Sequence, residues 1–192
     1  MRVTGVIAGM VVLVMAAVCP AAAADKGHVQ LAFFAPYQLV HEDADVGGVR
    51  FNLLYTKNRD LKGLDLGLGY NRLDGDMEGV SCSIVNLIEG QATGWQGIGF
   101  ARVNDHFHGL QSAGVTWAER DITGAQFGAF NFCRREVHGL QAGLVNKADS
   151  VRGFQVGILN MTVYLHGVQI GLWNVATGKR MMRYLPIVNA SF

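Results

Sequence analysis

Several things a catalytic or nucleic-acid-binding chain would carry are missing from this sequence. It has no Gly-rich phosphate loop, no nucleophile elbow and no His-Glu-x-x-His pair, and no spacing joins its Ser, His and Asp residues into a triad. No reaction class is indicated, and a non-enzymatic protein without a cofactor is the expectation. An excess of either charge is missing too: 16 Lys+Arg stand against 15 Asp+Glu. No basic face follows from that balance, which argues against nucleic acid as a partner. Cysteine is scarce, with Cys19, Cys82 and Cys133. Linkers and low-complexity tracts are absent, so the chain reads as one domain.

The first 24 residues differ from the rest. Arg2 precedes an apolar run from Val6 to Val18, followed by Pro20 and four alanines, Ala21 to Ala24. The run is shorter than the ~20 residues a spanning helix needs. The small-x-small pattern Ala22-Ala23-Ala24 before Asp25 has the form of a secretory cleavage site. The expectation is a signal peptide over 1–24, a single β-repeat domain over 25–192, and an exported protein of the periplasm, cell surface or outer membrane. Cys19 raises a lipoprotein box, but Val18 before it is larger than that box prefers. Cys82 and Cys133 occupy different repeat positions, which predicts two unpaired thiols rather than a disulfide.

What is abundant is one phrase. It reads Gly139-Leu-Gln-Ala-Gly-Leu-Val-Asn146, then Gly153-Phe-Gln-Val-Gly-Ile-Leu-Asn160, then Gly167-Val-Gln-Ile-Gly-Leu-Trp-Asn174. More worn copies begin at Gly48, Gly63, Gly79, Gly94, Gly109 and Gly124, so the repeats run from about 48 to 176. The intervals between starts are 14 to 16 residues, the mark of a repeat architecture. Within a copy the period is two, which predicts a strand whose aliphatic residues face one way and whose Gly and Gln face the other. The expectation is that the aliphatic face, including Leu144, Ile158 and Leu172, forms the core. The mid-strand glycines need a steric cause, and Gln side chains lying over them is the expected one.

Two stackings fit a 14- to 16-residue unit. An antiparallel meander, closing into a shallow barrel or curled sheet, is the first expectation for this all-β chain. Histidine before the glycine in every second copy (His108, His138, His166) suggests a two-strand unit. A parallel β-solenoid, with ladders of Gln, Gly and Asn, is the alternative. A small outer-membrane barrel acting as pore or anchor is the second functional reading. Its apolar band of about 25 Å exceeds the roughly 16 Å that five residues of one copy span.

The phrase and the closing Leu185-Pro-Ile-Val-Asn-Ala-Ser-Phe192 resemble bacterial exported surface-repeat proteins of unknown function. That resemblance implies an exported, non-catalytic repeat domain with a structural or adhesive role. Arg50, Asp65 and Ser81 stand at the Gln position in early copies and depart from the pattern.

Metal chemistry has one weak candidate set. His108, His138 and His166 would line one rim, but alternate strands lie about 9.5 Å apart, too far for one ion without strong curvature. The carboxylates of Asp74, Asp76 and Glu78 share a turn without the spacing of a calcium loop. Both sets read as solvated side chains.

Overall fold

The computed structural model describes residues 24–35 and 37–192; the segment read as a signal peptide, apart from its last residue, lies outside them. The described chain is almost all strand: β1 (Ala24–Phe34), β2 (Tyr37–Gln38), β3 (Val40–Asn58), β4 (Leu61–Gly67), β5 (Tyr70–Leu73), β6 (Met77–Ile88), β7 (Ala92–Val103), β8 (Phe107–Ala118), β9 (Ile122–Phe127), β10 (Phe130–Thr162), β11 (Tyr164–Ala176) and β12 (Tyr184–Ser191). Successive repeats pair in parallel and in register. Gly94 sits beside Gly79 and Gly109, Gln96 beside Ser81 and Gln111, and Asn160 beside Asn174. The fold is a β-solenoid.

The antiparallel meander is therefore corrected. A barrel built from a meander, soluble or membrane-spanning, needs antiparallel neighbours, and the repeats here are parallel. The sheet order runs from β12 at one end to β2 at the other, so strands stack along an axis. Among the described residues antiparallel pairing is confined to the two ends, where β12 covers β11 and β2 pairs with β1. Such end strands cover the edges that a stack of parallel coils leaves open.

Each coil is narrow, and its width explains the glycines. All nine starting glycines have positive φ, between +123° and +152°. A Cβ on Gly153 would lie 2.1 Å from the carbonyl oxygen of Gly139 in the coil before it, closer than any real contact. Only glycine lets the backbone bend there and still meet its neighbour. In five of the nine copies a second glycine, four residues on, sits at the opposite corner: Gly67, Gly128, Gly143, Gly157 and Gly171. A Cβ on Gly143 would come 1.8 Å from the Gly128 oxygen and 2.6 Å from Asn131 Nδ2. The expectation that a Cβ would intrude is met, but the side chain over this glycine is the Asn of the preceding coil, not a Gln.

The face assignment is reversed. Alternation holds, but Gln points in and the aliphatic residues point out. Gln96, Gln111, Gln126, Gln141, Gln155 and Gln169 are fully buried. From Gln111 onward each Nε2 donates to the Gln Oε1 one coil earlier: Gln141 to Gln126 at 2.6 Å, Gln155 to Gln141 at 2.7 Å, Gln169 to Gln155 at 2.8 Å. A second amide ladder runs the other way, Asn131 donating to Asn146, Asn146 to Asn160 and Asn160 to Asn174, each at 2.8 Å. Buried amides are tolerated because these ladders satisfy them along the axis. Leu144, Ile158 and Leu172, expected in the core, are 50%, 49% and 63% exposed.

The apolar core lies at the other half of each coil. Leu61, Met77, Phe107, Ile122, Val137 and Val151 stack two residues before the glycine, facing Leu73, Ile88, Val103 and Cys133. Thus the interior is aliphatic behind one edge of the solenoid and amide behind the other.

Candidate functional site

Starting one residue after each first glycine, six-residue windows make up one edge of every coil: 49–54, 64–69, 80–85, 95–100, 110–115, 125–130, 140–145, 154–159 and 168–173. Their only charged residues are Arg50 and Asp65, and both point inward and are fully buried. Among the described residues, no charged side chain of these nine windows therefore faces outward. Outward residues include Phe51, Leu68, Ile84, Phe127, Leu144 and Leu172, all well exposed. An exposed apolar strip of this continuity marks an interaction surface rather than ordinary surface scatter.

The edge is convex. Within the copy at Gly139, Leu140 and Ala142 face outward from one wall, Gln141 faces in, and then Leu144 and Val145 both remain accessible before Asn146 turns in. Two accessible residues in succession break the alternation and mark a corner. The backbone bends at this place at 68–69 and at 128–129. The Asn ladder holds the corner: Asn131 Nδ2 donates to the Gly128 carbonyl at 3.2 Å and to the Ala142 carbonyl of the next coil at 2.9 Å. Stacked corners make a ridge. Its crest carries Leu53, Leu68 and Ile84 at one end and Leu144, Ile158 and Leu172 at the other. Gly99, Gly114 and Ala129 leave a notch between them. At the notch Ile98 is exposed with φ of 106°, a backbone conformation that β-branched residues rarely adopt.

The opposite edge, where one coil passes to the next, is charged. Its ion pairs join neighbouring coils: Lys62–Glu78 at 3.0 Å, Arg120–Asp105 at 3.1 Å, Arg134–Glu119 at 3.0 Å and Arg152–Glu136 at 2.8 Å. These pairs are mostly exposed and individually weak. Together they mark this as the solvated edge.

The sequence candidates fall on this edge. His108, His138 and His166 share one column, but Thr123 and Arg152 stand between them in register. Two coil steps of about 4.8 Å separate successive imidazoles. His138 Nε2 lies 3.1 Å from Glu136 Oε2. Among the described residues no group of three His, Cys, Asp or Glu is placed to hold a metal ion. Asp74 meets Arg72 at 2.8 Å and Lys57 at 3.0 Å, Asp76 accepts from the Gln91 backbone N–H at 2.8 Å, and Glu78 pairs with Lys62. Burial alone would raise the Asp74 pKa, but hydrogen bonds from Arg72 and Lys57 outweigh it and hold the carboxyl below its ordinary value.

Two features escaped the sequence reading. One is the ridge, whose residues were assigned to the core. The other is a buried polar cluster where early copies depart from Gln. Arg50 Nε donates to Asp65 Oδ1 at 2.8 Å and Arg50 Nη1 to Asn58 Oδ1 at 3.3 Å, while Ser81 Oγ donates to Asp65 Oδ2 at 2.8 Å. Asn71 bridges the cluster, accepting from Arg50 and donating to Asp65. The signal for it was present: opposite charges occupy the Gln position in consecutive copies. Cys133 is buried and Cys82 half-buried, and both are free thiols. Desolvation pushes the Cys133 thiol up to about 12, and its Sγ–H donates to the Arg120 carbonyl at 3.0 Å. No family model, curated protein or solved structure matches this chain.

Proposed function

We propose that this chain is a non-enzymatic, exported β-solenoid with a structural or adhesive role at a bacterial cell envelope, and that it works by attachment through its apolar ridge. The observation that supports the reading is the segregation of the surface: an uncharged convex edge runs the length of the stack, opposite an edge cross-linked by ion pairs. A purely solvated repeat protein has no reason to leave nine successive corners free of charge. The leader-like first 24 residues support export.

Fractionation tests this. In a Gram-negative host carrying the full chain, the protein should sediment with the envelope after osmotic shock. The triple variant Leu144→Asn, Ile158→Asn, Leu172→Asn should be released into the soluble fraction. Recovery of the parent protein from the periplasm without detergent would remove the attachment reading.

A further inference from the structure

We infer that the ridge docks into the hydrocarbon of a lipid leaflet, with the solenoid axis lying along the membrane plane and the charged edge in water. The inference rests on the attachment reading above and names its partner.

Shape decides between lipid and a second copy of the chain. Two convex ridges meet only along their crests, leaving the outward rows of both walls wet. The crest is also uneven, because Gly99, Gly114 and Ala129 interrupt it between Ile84 and Leu144. A rigid partner would have to fill that notch with a matching projection. Fluid acyl chains fill it without design. Backbone pairing offers a partner nothing here, since the coils along the ridge are hydrogen-bonded to neighbours on both sides.

Dimensions agree with an interfacial seat. From the third residue after the glycine to the corner, the uncharged wall descends two to three residues, or roughly 7–10 Å at about 3.3 Å per residue. Apolar faces of peripheral elements sink about 5–10 Å into the boundary between headgroups and chains. Nine coils give eight steps of about 4.8 Å, a ridge of roughly 38 Å. That length exceeds the ~30 Å of a hydrocarbon core. Standing the axis upright would nevertheless carry Lys62, Glu78, Arg120 and Glu136 into it, which is prohibitive. One flanking column carries only cations, Lys57, Arg72, Arg102 and Lys147, of which the first three are paired with Asp74 and Glu119; the other bears both signs, Lys62, Glu78 and Arg152. Binding driven by the uncharged ridge does not require anionic lipid.

The experiment uses the exported, full mature chain and vesicles of phosphatidylcholine, a zwitterionic lipid. The expected result is co-flotation that persists at molar salt. Trp173, exposed at the last corner, should be quenched by lipids brominated in their acyl chains. The triple variant Leu144→Asn, Ile158→Asn, Leu172→Asn should bind at least about tenfold more weakly with its thermal unfolding little changed, because these side chains are exposed. Absence of co-flotation overturns the inference. If the parent then sediments as a discrete dimer that the triple variant loses, the occupant is a second copy. Binding only to anionic vesicles, abolished by salt, also overturns it. Envelope association in cells without vesicle binding sinks the lipid partner alone. Vesicle binding by a protein found free in the periplasm sinks the envelope role alone.

Discussion

Gly157 shows how a single hydrogen atom in place of a methyl is enforced. A Cβ there would come 2.3 Å from the Gly143 carbonyl oxygen and 2.6 Å from Asn146 Nδ2. The carbonyl belongs to a paired strand and cannot retreat, so Gly157→Ala should destabilise by more than about 1 kcal/mol despite the lower folding entropy cost of Ala. Urea midpoints check this, and in a double-mutant cycle the coupling should be to Asn146 more than to Gln155. Gln155 belongs to a different ladder. Gln155→Ala removes the donor to Gln141 and one of two acceptors for Gln169, which keeps its bond to the Val175 carbonyl; the buried Gln141 Oε1 is left unpaired, at about 1–3 kcal/mol. A midpoint equal to that of the parent would mean that the ladder is hydrated. Cys133 contributes a pH dependence. Burial raises its folded pKa to about 12 from an ordinary value near 9. Its neutral thiol thus stabilises the fold fully below pH 9, and that contribution is lost as pH rises toward 12, at about 1.4 kcal/mol per unit. Between pH 8 and 10.5 the parent should lose more stability than Cys133→Ala; parallel profiles for the two would contradict the burial.

At the scale of one coil, the early copies replace a neutral amide rung by an ion pair. Arg50 and Asp65 occupy Gln positions in adjacent coils and are wholly buried, with Asn58, Asn71 and Ser81 completing their hydrogen bonds. Removing one partner leaves a buried charge unpaired. Arg50→Gln or Asp65→Gln alone should therefore cost about 3–5 kcal/mol. The double variant restores the Gln–Gln rung found in later copies and should recover most of the loss. Thermal unfolding of the four proteins decides; a double variant as weak as the worse single one would show that the cluster needs its charge. The sequence pattern exposed this departure from the repeat. It could not show that the two departures compensate, because that depends on coils 15 residues apart being stacked in parallel.

Across the whole molecule, the interior and exterior are complementary: amide ladders behind the apolar ridge, an aliphatic core behind the charged edge. Truncating Leu144, Ile158 or Leu172 to Ala should consequently change stability by no more than about 0.5 kcal/mol each, as for other exposed sites. Core-sized losses in urea titrations would return these residues to the interior. The sequence by itself determined the repeat starts, the strand character of each copy, the two-residue alternation, and the columns of Gly, Gln and Asn. These are local properties, carried by the order of residues along one strand. Parallel stacking was decided only in the tertiary structure, because a 14- to 16-residue unit serves equally as a strand plus a turn or as one coil. The alternation of His108, His138 and His166 with Thr123 and Arg152 proved to be variation along one continuous column, not a two-strand unit. The choice of buried face was decided there too. A period of two is unchanged when the faces are exchanged. What breaks the symmetry is the separation of the coil walls, narrow enough to require glycine at the start of every copy and to let amides bond from coil to coil, with the bulky aliphatic side chains left outside.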